Sequence, residues 1–384
     1  MIPPLLAEHD TWISVDPLVG CPANCSYCYL GKLDLRSKRP RQRVDPSFAA
    51  MQLRSYILGR RAQLIDPELD RTPICIGNYT DMLLTRKNRD FLLALVGNIA
   101  ASISERPLVL ITKGTVTDSL VSELDGFGWP IIWFFSQSFS SRFPGIERGP
   151  VADFETTLAN AAIVAASDHQ AAVHFWRPFV PVLSSGLDKT HVIQRLKVSG
   201  MKCSVVIGLR VGDGVPVDDE RLKLLVPEFV PSSPVRSSEI IDSDGWEEVR
   251  KVAASNSYSV YRHSSCAIAL ALQSAEQLGT WRTDVKMDHC RPCHCPPLQR
   301  SICEDRFEDG DRSELALSRF CARVAKFLGL NEDAIAHDAK QGTFTVKAAI
   351  SEYEFNAMLH AAKGLYRPIA EVVLGKKAWQ GPFL

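Results

Sequence analysis

Six short apolar stretches rich in β-branched residues recur along the first 210 residues, and helical spacing fills much of the chain between them. The stretches are Trp12–Val15, Ile74–Gly77, Leu108–Thr112, Ile131–Phe135, Ala172–Trp176 and Ser204–Gly208. Apolar residues at three- and four-residue intervals predict helices over Asp90–Ile99, Phe154–Ala166 and Val192–Val198. Strands alternating with helices of this length make βαβ units, and βαβ units make a parallel sheet. An α/β fold is expected. In such sheets ligand groups collect at the C-terminal ends of the strands. That rule singles out the segments just past each stretch. They are the loop after Val15, Gly77-Asn-Tyr-Thr-Asp81, Thr112-Lys-Gly, Ser136-Gln-Ser138, Arg177-Pro-Phe-Val-Pro181 and Gly208-Leu-Arg210. Any one of them is equally well explained as loop capping; five of the six offer polar side chains together.

The loop after the first strand carries the densest chemistry. Cys21, Cys25 and Cys28 stand in Gly20-Cys-Pro-Ala-Asn-Cys-Ser-Tyr-Cys-Tyr29, a C-x₃-C-x₂-C spacing. Three thiolates on one tight loop can hold three irons of a [4Fe–4S] cluster, whose closed form takes four Cys. The fourth iron is then left for a ligand from outside the protein. Zinc competes, but its sites favour four N/S ligands in paired spacings. Disulfides compete less well. The first ten residues have neither a basic region before a long apolar core nor a small-residue cleavage pattern. Eleven Cys in 384 residues is also sparse for a disulfide scaffold. A reducing, cytoplasmic location is expected.

With an aromatic, Tyr27, just before its last Cys, the loop resembles the signature of the radical S-adenosylmethionine (radical SAM) enzymes. The resemblance implies a partial (β/α)₆ TIM-like barrel. It also implies that SAM binds the open iron and is split reductively to methionine and a 5′-deoxyadenosyl radical. Gly77-Asn-Tyr-Thr-Asp81 stands where that family carries a Gly-Gly-Glu-type segment for the SAM amino group. Neither the glycine pair nor the Glu is present, but Thr80 and Asp81 can make the same hydrogen bonds. Thr-Asp at this strand end looks like the spore photoproduct lyase branch. So does the run from Ser136 to Glu147-Arg-Gly-Pro150, followed by a helix and Arg177-Pro-Phe-Val-Pro181. By the same resemblance Ser136 or Ser138 faces the SAM ribose or carboxylate, Tyr27 flanks the adenine, and Arg177 joins the cofactor site. The likeness spans residues 12–210.

A second cysteine group follows a Pro- and Ser-rich linker at Pro227–Ser238. Cys266 precedes Cys290, Cys293, Cys295 and Cys303, which fall within fourteen residues. Clustered thiols in a Pro-rich segment of a reducing compartment imply a structural or redox metal. A second, auxiliary [4Fe–4S] cluster and a zinc site helped by His289 or His294 are both open. The spore photoproduct lyase pattern lacks this group, so DNA repair does not carry over with the barrel. Cys75, Cys203 and Cys321 fit the core. The last 75 residues predict helices over Leu315–Leu328 and Glu352–Ala362 and a strand over Thr343–Ala348. The expected division is a barrel over 1–230, a Cys-rich region over 231–309 and a small αβ module over 310–384.

Composition narrows the function. Lys plus Arg equals Asp plus Glu, 44 each, so the basic excess of a duplex-gripping protein is missing. No apolar run approaches the roughly eighteen residues needed to span a bilayer. Residues 32–43 carry six cations; a solvated connection and a cationic lip over the active site both fit. The expected activity is hydrogen abstraction from a peptide or natural-product substrate, with an external donor such as flavodoxin or ferredoxin supplying the electron. A nucleotide or nucleic-acid substrate for the same chemistry is the alternative. A non-catalytic zinc module that binds nucleic acid is the rival from another class. No catalytic side chain is nominated beyond the cofactor ligands.

Overall fold

Eight strands in strictly sequential order form the central sheet. In the computed structural model, which describes residues 3–31, 33–36, 38–211, 223, 225, 238–279, 290 and 292–373, β1 (Leu6–Glu8) pairs antiparallel with β2 (Ile13–Val15). Then follow β3 (Ile74–Ile76), β4 (Leu108–Thr112), β5 (Ile131–Gln137), β6 (Gln170–Trp176), β7 (Cys203–Val206) and β8 (Ser259–Tyr261). From β2 onward every neighbour is parallel, in register Ile13↔Ile74, Ile74↔Leu108, Leu108↔Ile131, Ile131↔Gln170, His174↔Ser204 and Cys203↔Ser259. The order never reverses, so there is no switch point of the doubly wound kind.

Side-chain alternation gives the sheet two buried faces. Ile74, Leu108, Trp133 and Trp176 face the outer helices: α1 (Pro46–Ser55), α2 (Arg86–Ala100), α3 (Asp118–Asp125), α4 (Phe154–Ala165), α5 (Lys189–Val198) and α6 (Ser243–Ser255). Cys75, Val109, Phe134, Val173 and Val205 face the other way, onto α7 (Ser264–Leu272). Burial on both sides is why the strands read as continuous apolar runs rather than alternating ones. Trp133 and Trp176 are fully buried; truncating such a side chain to Ala costs about 3–5 kcal/mol. Short polar side chains start the outer helices: Asp45 accepts the Phe48 N–H at 2.8 Å, and Asp153 the Thr156 N–H at 2.8 Å.

The alternation does not stop at residue 210, as the sequence suggests. It resumes with α6 and adds β8 as a seventh parallel strand, so the sheet extends into the stretch expected to be Cys-rich. The linker Pro227–Ser238, apart from Ser238, and His289 lie outside the described residues. The C-terminal module contains α9 (Glu314–Leu328), α10 (Glu352–Ala362) and a sheet of β9 (Ile335–Asp338), β10 (Thr343–Ser351) and β11 (Arg367–Val373). It follows α8 (Pro297–Asp309). A buried polar network joins it to β1. Glu8 takes the Tyr56 hydroxyl at 2.6 Å, pairs with Arg61, and lies 2.9 Å from His360 Nδ1. Arg61 and Arg106 each lie 2.7 Å from Asp70. Among the described residues no helix is long and apolar enough to cross a membrane.

Candidate active site

The cysteine loop is held in place by backbone from three other segments. Cys21 N–H donates to Leu35 O at 3.0 Å, Gly20 N–H to Tyr79 O at 3.0 Å, and Ser26 N–H to Ile146 O at 2.8 Å. Gly149 N–H donates to Ala23 O at 2.9 Å, and its Cα lies so close to the loop that a Cβ would stand 2.3 Å from Pro22 O. The basic segment turns out to be part of this scaffold. Arg36 bridges to Cys21 and donates to Ser26 O at 2.7 Å. Lys38, Arg39 and Arg41 are exposed, and no described residue of 32–43 lines the cavity below. The plainer of the two readings, a connection rather than a lip, is the one this geometry supports.

A cavity of about 560 Å³ opens beside the loop and takes in Cys21, Cys25 and Cys28 together. Burial pushes the Cys21 thiol up to about 12, with the Asp81 charge adding to it, and raises Cys25 and Cys28 as well. Free thiols there stay protonated; a bound metal is what deprotonates such groups. Backbone N–H groups of Ala23 and Asp81 point at Cys21, and that of Leu30 at Cys28, which favours the thiolate once formed. All eleven cysteines are free thiols, so the disulfide alternative falls. Among the described residues no three His, Cys, Asp or Glu side chains gather at the spacing of a single ion. A cubane does not ask for that, because each thiolate takes a different iron. The donor set fits a cluster.

Of the other residues nominated by the sequence, Tyr27, Thr80, Asp81, Ser136 and Arg177 line the same cavity. Asp81 clamps two strand ends: it accepts from Thr112 Oγ1 at 2.7 Å and from the Lys113 N–H at 2.6 Å, and burial raises its pKa. Thr80 donates to Gly20 O at 2.6 Å. Arg177 lies over the Phe175 ring, 5.7 Å from its centre. Ser138 is elsewhere: it is fully buried, its hydroxyl accepts the Ser140 N–H at 3.3 Å, and it is not among the lining residues. Cys75 and Cys203 lie in the core of the inner face, and Cys321 in that of the C-terminal module.

Sequence reasoning missed two groups. The first is Lys113 with Glu147, whose Nζ and Oε1 are 2.8 Å apart. Glu147 also accepts the Tyr27 hydroxyl, and Ser140 Oγ at 2.9 Å. Lys113 was visible as the residue past the third stretch; nothing in the sequence paired it with Glu147. The second group lies on the wall built by His9–Trp12 and Arg262–Ser265, which also lines the cavity.

The second cysteine group assembles around Cys266 of α7. Cys266, Cys290, Cys293 and Cys295 lie within electrostatic reach of one another, and Cys303 within reach of Cys290 and Cys295. Burial pushes Cys290 up to about 12 and Cys293 up to about 11. The Tyr261 hydroxyl donates to Cys295 Sγ at 3.3 Å, and the Glu276 N–H to Cys303 Sγ at 3.4 Å. His294 is exposed.

No protein-family model matches the chain, and no curated protein matches it. Solved structures of spore photoproduct lyase are similar. One mutant shares 18% identity at a TM-score of 0.46, over 63% of this chain and 73% of its own. A double mutant with bound AdoMet and dinucleoside spore photoproduct shares 15% identity at a TM-score of 0.45, over the same fractions. Likeness at this level says nothing about chemistry, which rests on the residues of this chain.

Proposed function

We propose that this protein is a radical SAM enzyme in which Cys21, Cys25 and Cys28 hold a [4Fe–4S] cluster with one iron open to SAM. One observation carries the reading: the three loop thiols and the polar strand ends of a parallel sheet line a single cavity. With cluster and SAM bound, the chemistry supplied is reductive cleavage to a 5′-deoxyadenosyl radical that takes hydrogen from substrate. The chain's own residues bind and orient. Asp81 presents a buried carboxylate for the SAM ammonium, Thr80 and Ser136 offer hydrogen bonds, Tyr27 offers a ring held by Glu147, and Arg177 offers a cation for the carboxylate. Ser138 shapes the loop behind them.

The same reading takes the sheet as the wall of a partial barrel. Its sequential order supports this, as does the contact of Trp12 with Phe134, whose ring centres lie 6.4 Å apart although two strands separate β2 from β5. We assign a second [4Fe–4S] cluster to four of Cys266, Cys290, Cys293, Cys295 and Cys303, and an external one-electron protein donor of the flavodoxin or ferredoxin class.

Anaerobic reconstitution tests the assignment. About four irons per chain mean one cluster and about eight mean two. Reduced protein is expected to form 5′-deoxyadenosine from SAM. Cys25→Ala is expected to abolish that product while keeping iron at the second group. Cleavage retained in Cys25→Ala, or zinc at the first loop, would overturn the proposal.

A further inference from the structure

We propose that the C-terminal module is a working part of the active site, its Asn356 and His360 fixing the turn His9–Trp12 as the cavity wall that faces the substrate. The proposal rests on the reading of this cavity as the active site and adds positioning residues to it. The turn joins β1 to β2 and closes on a backbone bond, His9 N–H to Trp12 O at 2.9 Å. Strand β1 is an edge of the central sheet, so the side of it away from β2 has no strand to take its carbonyls. Side chains from far along the chain take them instead. Asn356 Nδ2 donates to Glu8 O at 3.0 Å, and His360 Nε2 lies 3.0 Å from Asp10 O. A carbonyl only accepts, so this Nε2 carries the hydrogen. Gln277, past the end of α7, adds a third bond, from its Nε2 to Thr11 O at 2.9 Å. The spacings match. Asn356 and His360 are both buried and stand four apart on α10, about 6 Å along the helix axis. Glu8 and Asp10 stand two apart, at most about 7 Å along the backbone.

All four residues of the clamped turn line the cavity. Asp10 is exposed there and within electrostatic reach of His263, which is also exposed and follows β8. His9 Nε2 lies 3.2 Å from Ser14 Oγ and 3.3 Å from Asn78 Nδ2, just past β3. The Trp12 ring meets that of Phe134 on β5. The turn thus spans the cavity between the two ends of the parallel run. The residues assigned to SAM are anchored elsewhere: Asp81 by Thr112 and the Lys113 N–H, Thr80 by Gly20 O. With the cofactor side held by its own strand ends, the space along the turn is left to the substrate. Holding that wall still is the task the geometry gives to α10.

The test is hydrogen–deuterium exchange on the full, anaerobically reconstituted chain with SAM present and no reductant. Exchange is read on the peptide that carries the turn, with SAM affinity measured beside it. His360→Asn keeps a polar side chain but places its amide where Nδ1 stood, out of reach of Asp10 O. It is expected to speed exchange of the turn about three- to tenfold, as is Asn356→Leu. Exchange in β4–β6 is expected to stay unchanged, and SAM affinity to stay within about twofold of wild type. His360→Gln places an amide N–H near the position of Nε2 and is expected to restore slow exchange. A residue that only filled space would not distinguish the two amides in this way. Equal exchange of the turn in wild type and His360→Asn overturns the proposal. So does acceleration spread evenly through β4–β6, because the loss is then one of global stability. A fall in SAM affinity in step with faster exchange overturns it too, because the wall then serves the cofactor. The two His360 amide variants keep the test sound if Asn356→Leu folds poorly. Lack of 5′-deoxyadenosine formation by wild type would sink the radical SAM reading and leave these exchange differences standing. The two failures are therefore distinguishable.

Discussion

Lys113 and Glu147 meet 2.8 Å apart beside the cysteine loop, Lys113 from the end of β4 and Glu147 from the segment that clamps the loop. The pairing overcomes burial on both sides, holding the Glu147 carboxyl below its usual range and the Lys113 ammonium above its own. Glu147 also stands 4.0 Å from Cys25 Sγ and holds the Tyr27 hydroxyl. Glu147→Gln leaves a buried ammonium without its counter-charge and is expected to cost about 3–5 kcal/mol, read as a lower urea midpoint. Replacing both partners by apolar residues is expected to recover much of that loss. A single variant as stable as wild type would show that the pair carries no such role.

Gly149 packs its backbone on the loop, with Ala23 Cα 2.5 Å from where a Cβ would stand. Neither side can yield without moving main chain. Gly149→Ala is expected to cost roughly 1–3 kcal/mol and to lower iron uptake at the first loop while far-UV circular dichroism stays unchanged. Full iron content in that variant would refute the clamp.

Asp16, buried between β2 and the loop, accepts the Tyr79 N–H at 3.3 Å; burial raises its pKa from 3.8 to about 7. The folded state therefore holds a proton through a window where the unfolded chain has lost it. Stability from this group is full below pH 3.8, falls as pH rises to about 7, and is flat above. At about 1.4 kcal/mol per pKa unit the loss amounts to roughly 4 kcal/mol. Asp16→Asn is expected to be the more stable protein above pH 7 and to lose that advantage near pH 4. Parallel pH–stability curves for the two proteins would contradict this.

Arg61 is fully buried between Glu8 and Asp70. Arg61→Met removes the cation shared by two buried carboxylates, leaving Asp70 to Arg106 and Glu8 to Tyr56 and His360, and a loss of about 3–5 kcal/mol is expected. Because Glu8 also meets His360 of α10, the C-terminal module is expected to loosen with it, read as faster limited proteolysis beyond residue 310. Unchanged cleavage would separate the network from module docking.

Thr80, Asp81, Ser136 and Arg177 were legible in the sequence because strand ends in parallel sheets follow a rule of position, and Tyr27 through the family resemblance of its loop; all five reach the cavity. Ser138 does not, since one more residue past β5 turns the side chain inward, where it is fully buried. A short helix–strand passage before Tyr261 is legible, but three residues, Ser259-Val-Tyr261, carry too little pattern to show that β8 joins the central sheet. Without β8 in the sheet, the wall of Arg262 and Ser265 had no place in the expected site.

What the amino-acid order determined by itself was local: three thiols on one loop, a strand–helix alternation, and buried strands written as apolar runs. These depend on neighbours within a few residues, where spacing maps directly to geometry. What only the tertiary structure decided was which distant segments share a cavity. Lys113 met Glu147, and Trp12 came to line the same space as Ser265, because packing of the sheet against α7 and the loop clamp at Gly149 brought together residues far apart in the chain. Contacts of that separation are paid for by burial of the whole core, and no short-range pattern encodes them.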